Sequence, residues 1–203
     1  NQFIRDAAKA LDKNGIFIAQ LMTLKPMIQK NDLGNLCHEH LEFYSYPSLV
    51  YLFEKNGLEI FKVEENSING GSYRLFARHL KKGSIKYREP KYDYKAFARR
   101  LEENKKKAVD FIKKEAKKGK KVYVYGASTK GNTILQYYGL DNKLIKAAAD
   151  KDAQKWGKYT VGTLIPIVNE EKARKDADYF FVSPWAFFDT FYKREKDWLK
   201  HGG

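Results

Sequence analysis

One cysteine, Cys37, is all that the 203 residues contain. That excludes an internal disulfide and a structural zinc site built on cysteine pairs, and it suits a reducing compartment. No apolar run approaches the roughly 20 residues a membrane-spanning helix needs, and no signal-peptide pattern is present. The expectation is a cytoplasmic chain with no membrane partner. Acidic residues are few beside basic ones, 25 against 39, so the net charge is +14. Such an imbalance favours acidic partners: nucleic acid, an anionic membrane or phosphorylated small molecules. The lysines crowd into Lys105-Lys106-Lys107, Lys113-Lys114 and Lys117-Lys118-Gly119-Lys120-Lys121. Between Tyr94 and Lys118, however, they alternate with Ala98, Leu101, Ala108, Phe111 and Ile112 at helical spacing, which reads as the solvated face of an amphipathic helix.

Histidine is also sparse. Of four in the chain, two fall within Cys37-His38-Glu39-His40. Imidazole can take or give a proton near neutral pH, and a neighbouring carboxylate can fix its tautomer, so His40, Glu39 and His38 form the candidate acid/base cluster. A surface histidine pair is the plain alternative. A metal site is disfavoured, because three ligands from one tripeptide are geometrically awkward and only His79 and His201 could add imidazoles. Downstream, Asn69-Gly70-Gly71-Ser72-Tyr73-Arg74 reads as a tight glycine turn opening a strand.

The periodicity predicts a first unit over residues 1–80. It holds an amphipathic helix over 2–13 with Phe3, Ile4, Ala7, Ala8 and Leu11 on one face, and a strand over 15–22 with no earlier strand to pair with. An irregular stretch carrying His-Glu-His follows, then a helix near 47–56 and a strand pair, 58–65 and 72–79, forming a hairpin. Ser45 suits an N-cap, Pro47 the first turn and Gly57 the C-terminal stop. A lysine-rich linker, 81–121, with a helix over about 92–118, leads to a second unit over 122–203. There strands at 122–125, 145–149, 165–168 and 179–183 alternate with helices at 130–138, 170–176 and 187–200. That alternation predicts an α/β fold with a mainly parallel sheet.

Between the first strand and first helix of the second unit stands Tyr125-Gly126-Ala127-Ser128-Thr129-Lys130-Gly131-Asn132-Thr133. Backbone N–H groups and a helix N-terminus there can cradle a phosphate. Asp150, ending the next strand, stands where a dinucleotide fold puts its ribose-binding acid. Neither full signature is present: Asn132 replaces the P-loop lysine, and the dinucleotide pattern lacks glycines. A close strand-to-helix turn would account for the glycines without a ligand.

Taken together, these residues resemble the S-adenosylmethionine-dependent C-methyltransferases that act on nucleotide-linked deoxysugars. The matching pieces are Leu11 to Ile18, His-Glu-His with Leu41, Tyr44 and Ser45, and Gly70-Gly71-Ser72-Tyr73-Arg74. They continue with the segment from Tyr125 to Thr133, then Asp150 with Lys155, Gly157, Tyr159 and Gly162-Thr163. Ile165-Pro166-Ile167, Trp185, Glu195, Trp198 and Gly202-Gly203 complete the order.

Such enzymes have a zinc-binding N-terminal domain, a class I methyltransferase domain with a glycine-rich cofactor loop, and a Rossmann-like C-terminal domain that helps hold the sugar nucleotide. The resemblance implies that this chain joins the end of the transfer domain to an incomplete C-terminal domain, and that the fragment alone is inert. It implies S-adenosylmethionine as cofactor, with the cofactor-binding residues unknown because the main loop is absent, and zinc only in the missing N-terminal domain. His40 would be the base that makes an enolate beside a ketone, with Glu39 orienting it. Tyr44, Asn69, Gly70, Gly71, Arg74, Tyr125, Gly126, Ser128, Lys130, Gly131, Asn132, Thr133 and Asp150 would bind the sugar nucleotide.

Three residues depart from the family's pattern: Cys37 stands where a tyrosine is usual, Asn69 where a histidine is, and Val161 where a proline is. A thiol is a weak donor for an enolate oxygen, and His38 or Asn69 would have to compensate. Two rivals use the same residues. A basic nucleic-acid module would need aromatic residues interleaved with positive charge on an open sheet face, as Tyr123 and Tyr125 alternate on a strand. A nicotinamide-dependent dehydrogenase would use Gly126 and Asp150 but leaves His-Glu-His without a role.

Overall fold

The computed structural model describes residues 2–183 and 188–201. Trp185, Gly202 and Gly203 lie outside them. Contacts divide the chain into two units: residues 1–32 with 41–94, and residues 33–40 with 95–203.

The first unit holds helix α1 (Gln2–Ala10), strand β1 (Phe17–Met22), helices α2 (Leu24–Gln29) and α3 (Tyr46–Glu54), and strands β2 (Leu58–Asn66) and β3 (Ser72–His79). The sheet order is β1-β3-β2, antiparallel throughout. The strand pair expected as a hairpin is β2–β3, and β1, with no earlier strand to pair with, pairs with the other edge of the later strand β3.

Alternation decides which face is buried: Tyr73, Leu75 and Ala77 point inward while Arg74, Phe76 and Arg78 point outward. The inner face packs on Ile4 of α1 and on Tyr46, Leu49 and Phe53 of α3. Phe3, expected on the buried face of α1, is 68% exposed. Helix α3 begins as its sequence indicates. The Ser45 hydroxyl accepts the Ser48 N–H and the Ser48 hydroxyl accepts the Ser45 N–H, with Pro47 in the first turn.

Helix α2 lies in the stretch expected to be irregular. Six residues containing a proline carry too little periodic signal, yet Pro26 is tolerated because it sits in the first turn. Glu59, buried in β2, is satisfied by the amides of Lys81, Lys82 and Gly83 and by Arg78. The Lys81 and Lys82 amides chiefly hold its carboxyl down, at about 2.

In the second unit, helix α4 (Tyr94–Lys117, joined to it from Lys95) precedes β4 (Val122–Tyr125), α5 (Thr129–Tyr138), β5 (Ala147–Asp150), β6 (Ile167–Asn169), α6 (Glu170–Asp176), β7 (Tyr179–Phe181), α7 (Phe188–Arg194) and α8 (Lys196–Lys200). The sheet is parallel, in the order β6-β5-β4-β7. Strand β4, paired on both sides, is buried along its whole length, as its unbroken apolar run requires. Val122 and Val124 join Ile112, Leu135 and Ile167 in one core, and Tyr123 joins Ala147, Ala149 and Ala173 in another. The sheet is thus covered on both faces.

Two expectations change here. Helix α4, expected within the lysine-rich linker over 81–121, buries Phe97, Leu101 and Ile112, the last in the core of the second unit; Ala98, expected on the apolar face, is exposed, and Phe111 sets its ring edge-on to Tyr179. The last helix is two, broken at Glu195, whose buried carboxylate receives Arg174 at 2.7 Å and Arg194 at 3.2 Å. No helix among the described residues is long and apolar enough to cross a membrane.

Candidate functional site

Strand order in the second unit locates a crevice. The chain passes from β4 to β5 and β6 on one side, then returns to place β7 on the other side of β4. In parallel α/β sheets, ligands bind outside the carboxyl ends of the strands at such a reversal. The segment leaving β4 at that point is the glycine turn, and the one leaving β7 brings Ser183.

Gly126 takes φ +86°, and a Cβ built on it would meet nothing within 4 Å among the described residues. Its N–H is bonded to Ala149 O at 2.7 Å, and the Ala127 N–H donates to Asp150 Oδ2, also at 2.7 Å. Helix α5 then starts at a capped end, the Ser128 hydroxyl accepting the Gly131 N–H at 3.1 Å. Gly131 has no room for a side chain: a Cβ there would lie 2.8 Å from Ser183 Oγ and 3.2 Å from Ser128 Oγ. Ser183 Oγ and Asn132 Oδ1 are buried with no hydrogen-bond partner among the described residues. Buried orphans of this kind call for an explanation, and a ligand group is one. The Thr133 hydroxyl donates to Thr129 O at 3.3 Å, within the helix.

Asp150 is committed to the turn itself. One carboxylate oxygen accepts the Asp152 N–H at 2.9 Å; the other accepts the Ala127 N–H and the Lys155 ammonium, the latter at 3.2 Å. Burial alone would push this carboxyl up, but the two amides and Lys155 outweigh it and hold it below its ordinary value. Lys155 also donates to Ala127 O at 3.1 Å, closing a clamp around the turn.

The His-Glu-His segment belongs to this same unit. Residues 33–35 form a buried 3₁₀ turn that packs on α5. Gly34 makes the contact possible, since a Cβ there would stand 2.9 Å from Lys130 Cβ and 3.2 Å from Lys130 O. Two motifs about ninety residues apart in sequence are therefore neighbours. The structure also separates the two histidines. The His38 side chain is 86% exposed, 4.0 Å from Glu39. His40 is half-buried, with Nδ1 2.9 Å from Asn35 O. A carbonyl can only accept, so Nδ1 carries the proton of the neutral ring and the lone pair sits on Nε2. The Cys37 thiol donates to Glu39 at 3.6 Å.

Tyr125 faces the opposite side of the sheet from Val124, and its hydroxyl meets Glu195 and Arg194. Burial raises the Glu195 carboxyl, but Arg174 and then Arg194 prevail and hold it below its ordinary value. Tyr123 and Tyr125 are 5% and 2% exposed. They offer no open aromatic face to a nucleic-acid base.

Tyr44, Asn69, Gly70, Gly71 and Arg74 lie in the first unit. Tyr44 accepts the Leu24 N–H at its carbonyl, and its hydroxyl donates to Glu42. Asn69 stands at φ +54° in the glycine turn, and Gly70 O accepts Lys30 Nζ at 2.6 Å. Arg74 donates to Gln20 across the β1–β3 pair, at 3.1 Å and 3.2 Å. Ser183 and Gly34 escaped the sequence reading. A serine just beyond a strand neighbouring the glycine turn was a usable signal for the first, and nothing in the sequence marks the second. Among the described residues, no three histidine, cysteine, aspartate or glutamate side chains gather as metal ligands.

Residues 67–203 match the family model described as the C-methyltransferase C-terminal domain. The whole chain is similar to the C-methyltransferase NovU of Streptomyces niveus, at 27% identity over 218 residues. That alignment covers 100% of this chain and 52% of NovU, so the chain spans about half the length of this curated relative. It runs through the His-Glu-His segment, which lies ahead of the family match.

Proposed function

The chain belongs to the C-methyltransferase family, and from that premise we propose that it is the part of such an enzyme that holds a nucleotide-linked keto-deoxysugar and removes a proton beside its ketone. Carbon does not accept a methyl group from an electrophile until it carries an electron pair. A base must take the proton α to the carbonyl, the C–H pair becomes the enolate double bond, and the carbonyl π pair moves to oxygen. His40 is the base in this reading. The observation that carries it is the Asn35 carbonyl on Nδ1, which leaves Nε2 as the acceptor nitrogen.

The glycine turn supplies the other half. The N-terminus of α5 favours the negative charge of a diphosphate, with Lys130 adding a cation, and Ser183 and Asn132 offering polar atoms without a partner among the described residues. With its thiol turned to Glu39, Cys37 is a poor donor for the enolate oxygen.

S-adenosylmethionine, the donor that family membership implies, would supply the methyl group. Asp150, the acid at the end of the next strand, accepts from Ala127, Asp152 and Lys155, three of the roughly four acceptor sites of a carboxylate, and so serves chiefly to hold the turn. No residue of this chain is assigned to the donor.

Substituting His40→Ala in the full-length enzyme is the direct test. Methyl transfer should fall by about 10² to 10⁴-fold, the usual contribution of a positioned base, while sugar-nucleotide affinity stays within about twofold, because a base contributes to the transition state rather than to ground-state binding. Turnover retained in that variant would remove His40 from the mechanism.

A further inference from the structure

We propose that Gly34 is a positioning residue for His40: its missing side chain lets the turn at residues 33–35 seat on Lys130, so that one helix terminus sets both the anion-binding turn and the imidazole. This rests on His40 being the base.

The chain of contacts is short. Lys130 lies in the first turn of α5, immediately before Gly131 and next to the Ser128 cap. Gly34 lies against the Lys130 backbone and Cβ, with space for a hydrogen and nothing larger. One residue on, Asn35 sends its carbonyl to His40 Nδ1. Leu33, Gly34 and Asn35 are all buried, and the Leu36 N–H closes the turn on Leu33 O at 2.9 Å. The carbonyl therefore cannot swing freely, and the ring inherits its aim from the helix. A ring held this way presents one nitrogen in one direction, which a base needs more than it needs affinity: a misplacement of about 1 Å can cost roughly 10²-fold in rate.

The expected behaviour differs from that of an ordinary packing residue. Adding a methyl group at position 34 pushes the turn off Lys130, lengthens the contact from Asn35 to the ring and releases the tautomer. Diphosphate binding at α5 is left in place. In the full-length enzyme, Gly34→Ala should lower kcat at least about tenfold with KM within about twofold.

Nitrogen-15 NMR of the His40 ring reads the geometry without any substrate. The wild-type neutral ring should be protonated at Nδ1, and Gly34→Ala should show a mixture of tautomers. A wild-type ring protonated at Nε2 would overturn the proposal, even if the Gly34→Ala protein failed to fold. So would a folded Gly34→Ala protein with unchanged tautomer and kcat. If instead His40→Ala retains turnover while Gly34→Ala still scrambles the tautomer, the positioning geometry stands and the assignment of the base falls.

Discussion

Two glycine turns, one in each unit, look alike in sequence and differ in space. The turn at Gly70-Gly71 is filled: a Cβ on Gly71 would lie 2.4 Å from Pro26 Cβ, and Lys30 Nζ donates to Gly70 O. At Gly126 the turn is open, with no atom of the described residues within 4 Å of a built Cβ. Glycine in the first admits another part of the chain, and in the second it leaves room. A glycine-rich segment is thus compatible with close packing or with a ligand, and only the neighbours decide which.

The largest effect should come from the filled turn. Gly71 sits at φ +141°, where side chains are strained, and its neighbour is a rigid proline ring rather than the end of a flexible side chain. Gly71→Ala should destabilise the first unit by about 3 kcal/mol or more, combining backbone strain with overpacking. A urea unfolding curve that follows a probe in that unit measures it. A loss below about 1 kcal/mol would mean that the turn yields and that the contrast between the two is weaker than drawn.

Much of this architecture was legible beforehand, and for physical reasons. The strand over Val122 to Tyr125, the Ser45 cap and the strand pair 58–65 and 72–79 are local signals, and the elements they mark appear where expected. What was illegible depends on residues far apart. His38 and His40 are equivalent in sequence, and only the buried turn at Leu33 to Asn35, seated on α5, exposes one and orients the other. Asp150 resembles a ribose-binding acid until Lys155 and two amides claim its oxygens. The break between α7 and α8 follows from Glu195 meeting two arginines, which no helical periodicity encodes.

A cation at the open turn should matter to a ligand and little to the fold. Lys130→Ala keeps the Cβ against which Gly34 packs, so the seat of the His40 segment survives. Affinity for thymidine diphosphate, used as a probe in calorimetry on the full-length enzyme, should weaken about tenfold, equivalent to roughly 1.4 kcal/mol. Thermal stability should change by less than half of that. Unchanged affinity would return the open turn to a purely structural role, and the two glycine turns would then differ in packing alone.

The smallest expected effect is at Gly126. Its φ of +86° penalises any side chain, but no atom of the described residues stands where the methyl group of Gly126→Ala would go. Stability should therefore fall by only about 1 kcal/mol, the cost of a left-handed backbone without a clash. That is about a third of the loss expected at Gly71, although both are positive-φ glycines in turns. The informative number is the ratio of the two losses, because it separates backbone strain, common to both sites, from steric filling, present at one. If Gly126→Ala also weakens thymidine diphosphate binding by about threefold or more, well beyond what a shift in folding equilibrium gives a protein still fully folded, the empty volume beside Gly126 is where the ligand approaches the chain. Equal losses at the two glycines, with binding untouched, would show that the open turn closes in solution and that its space is not used.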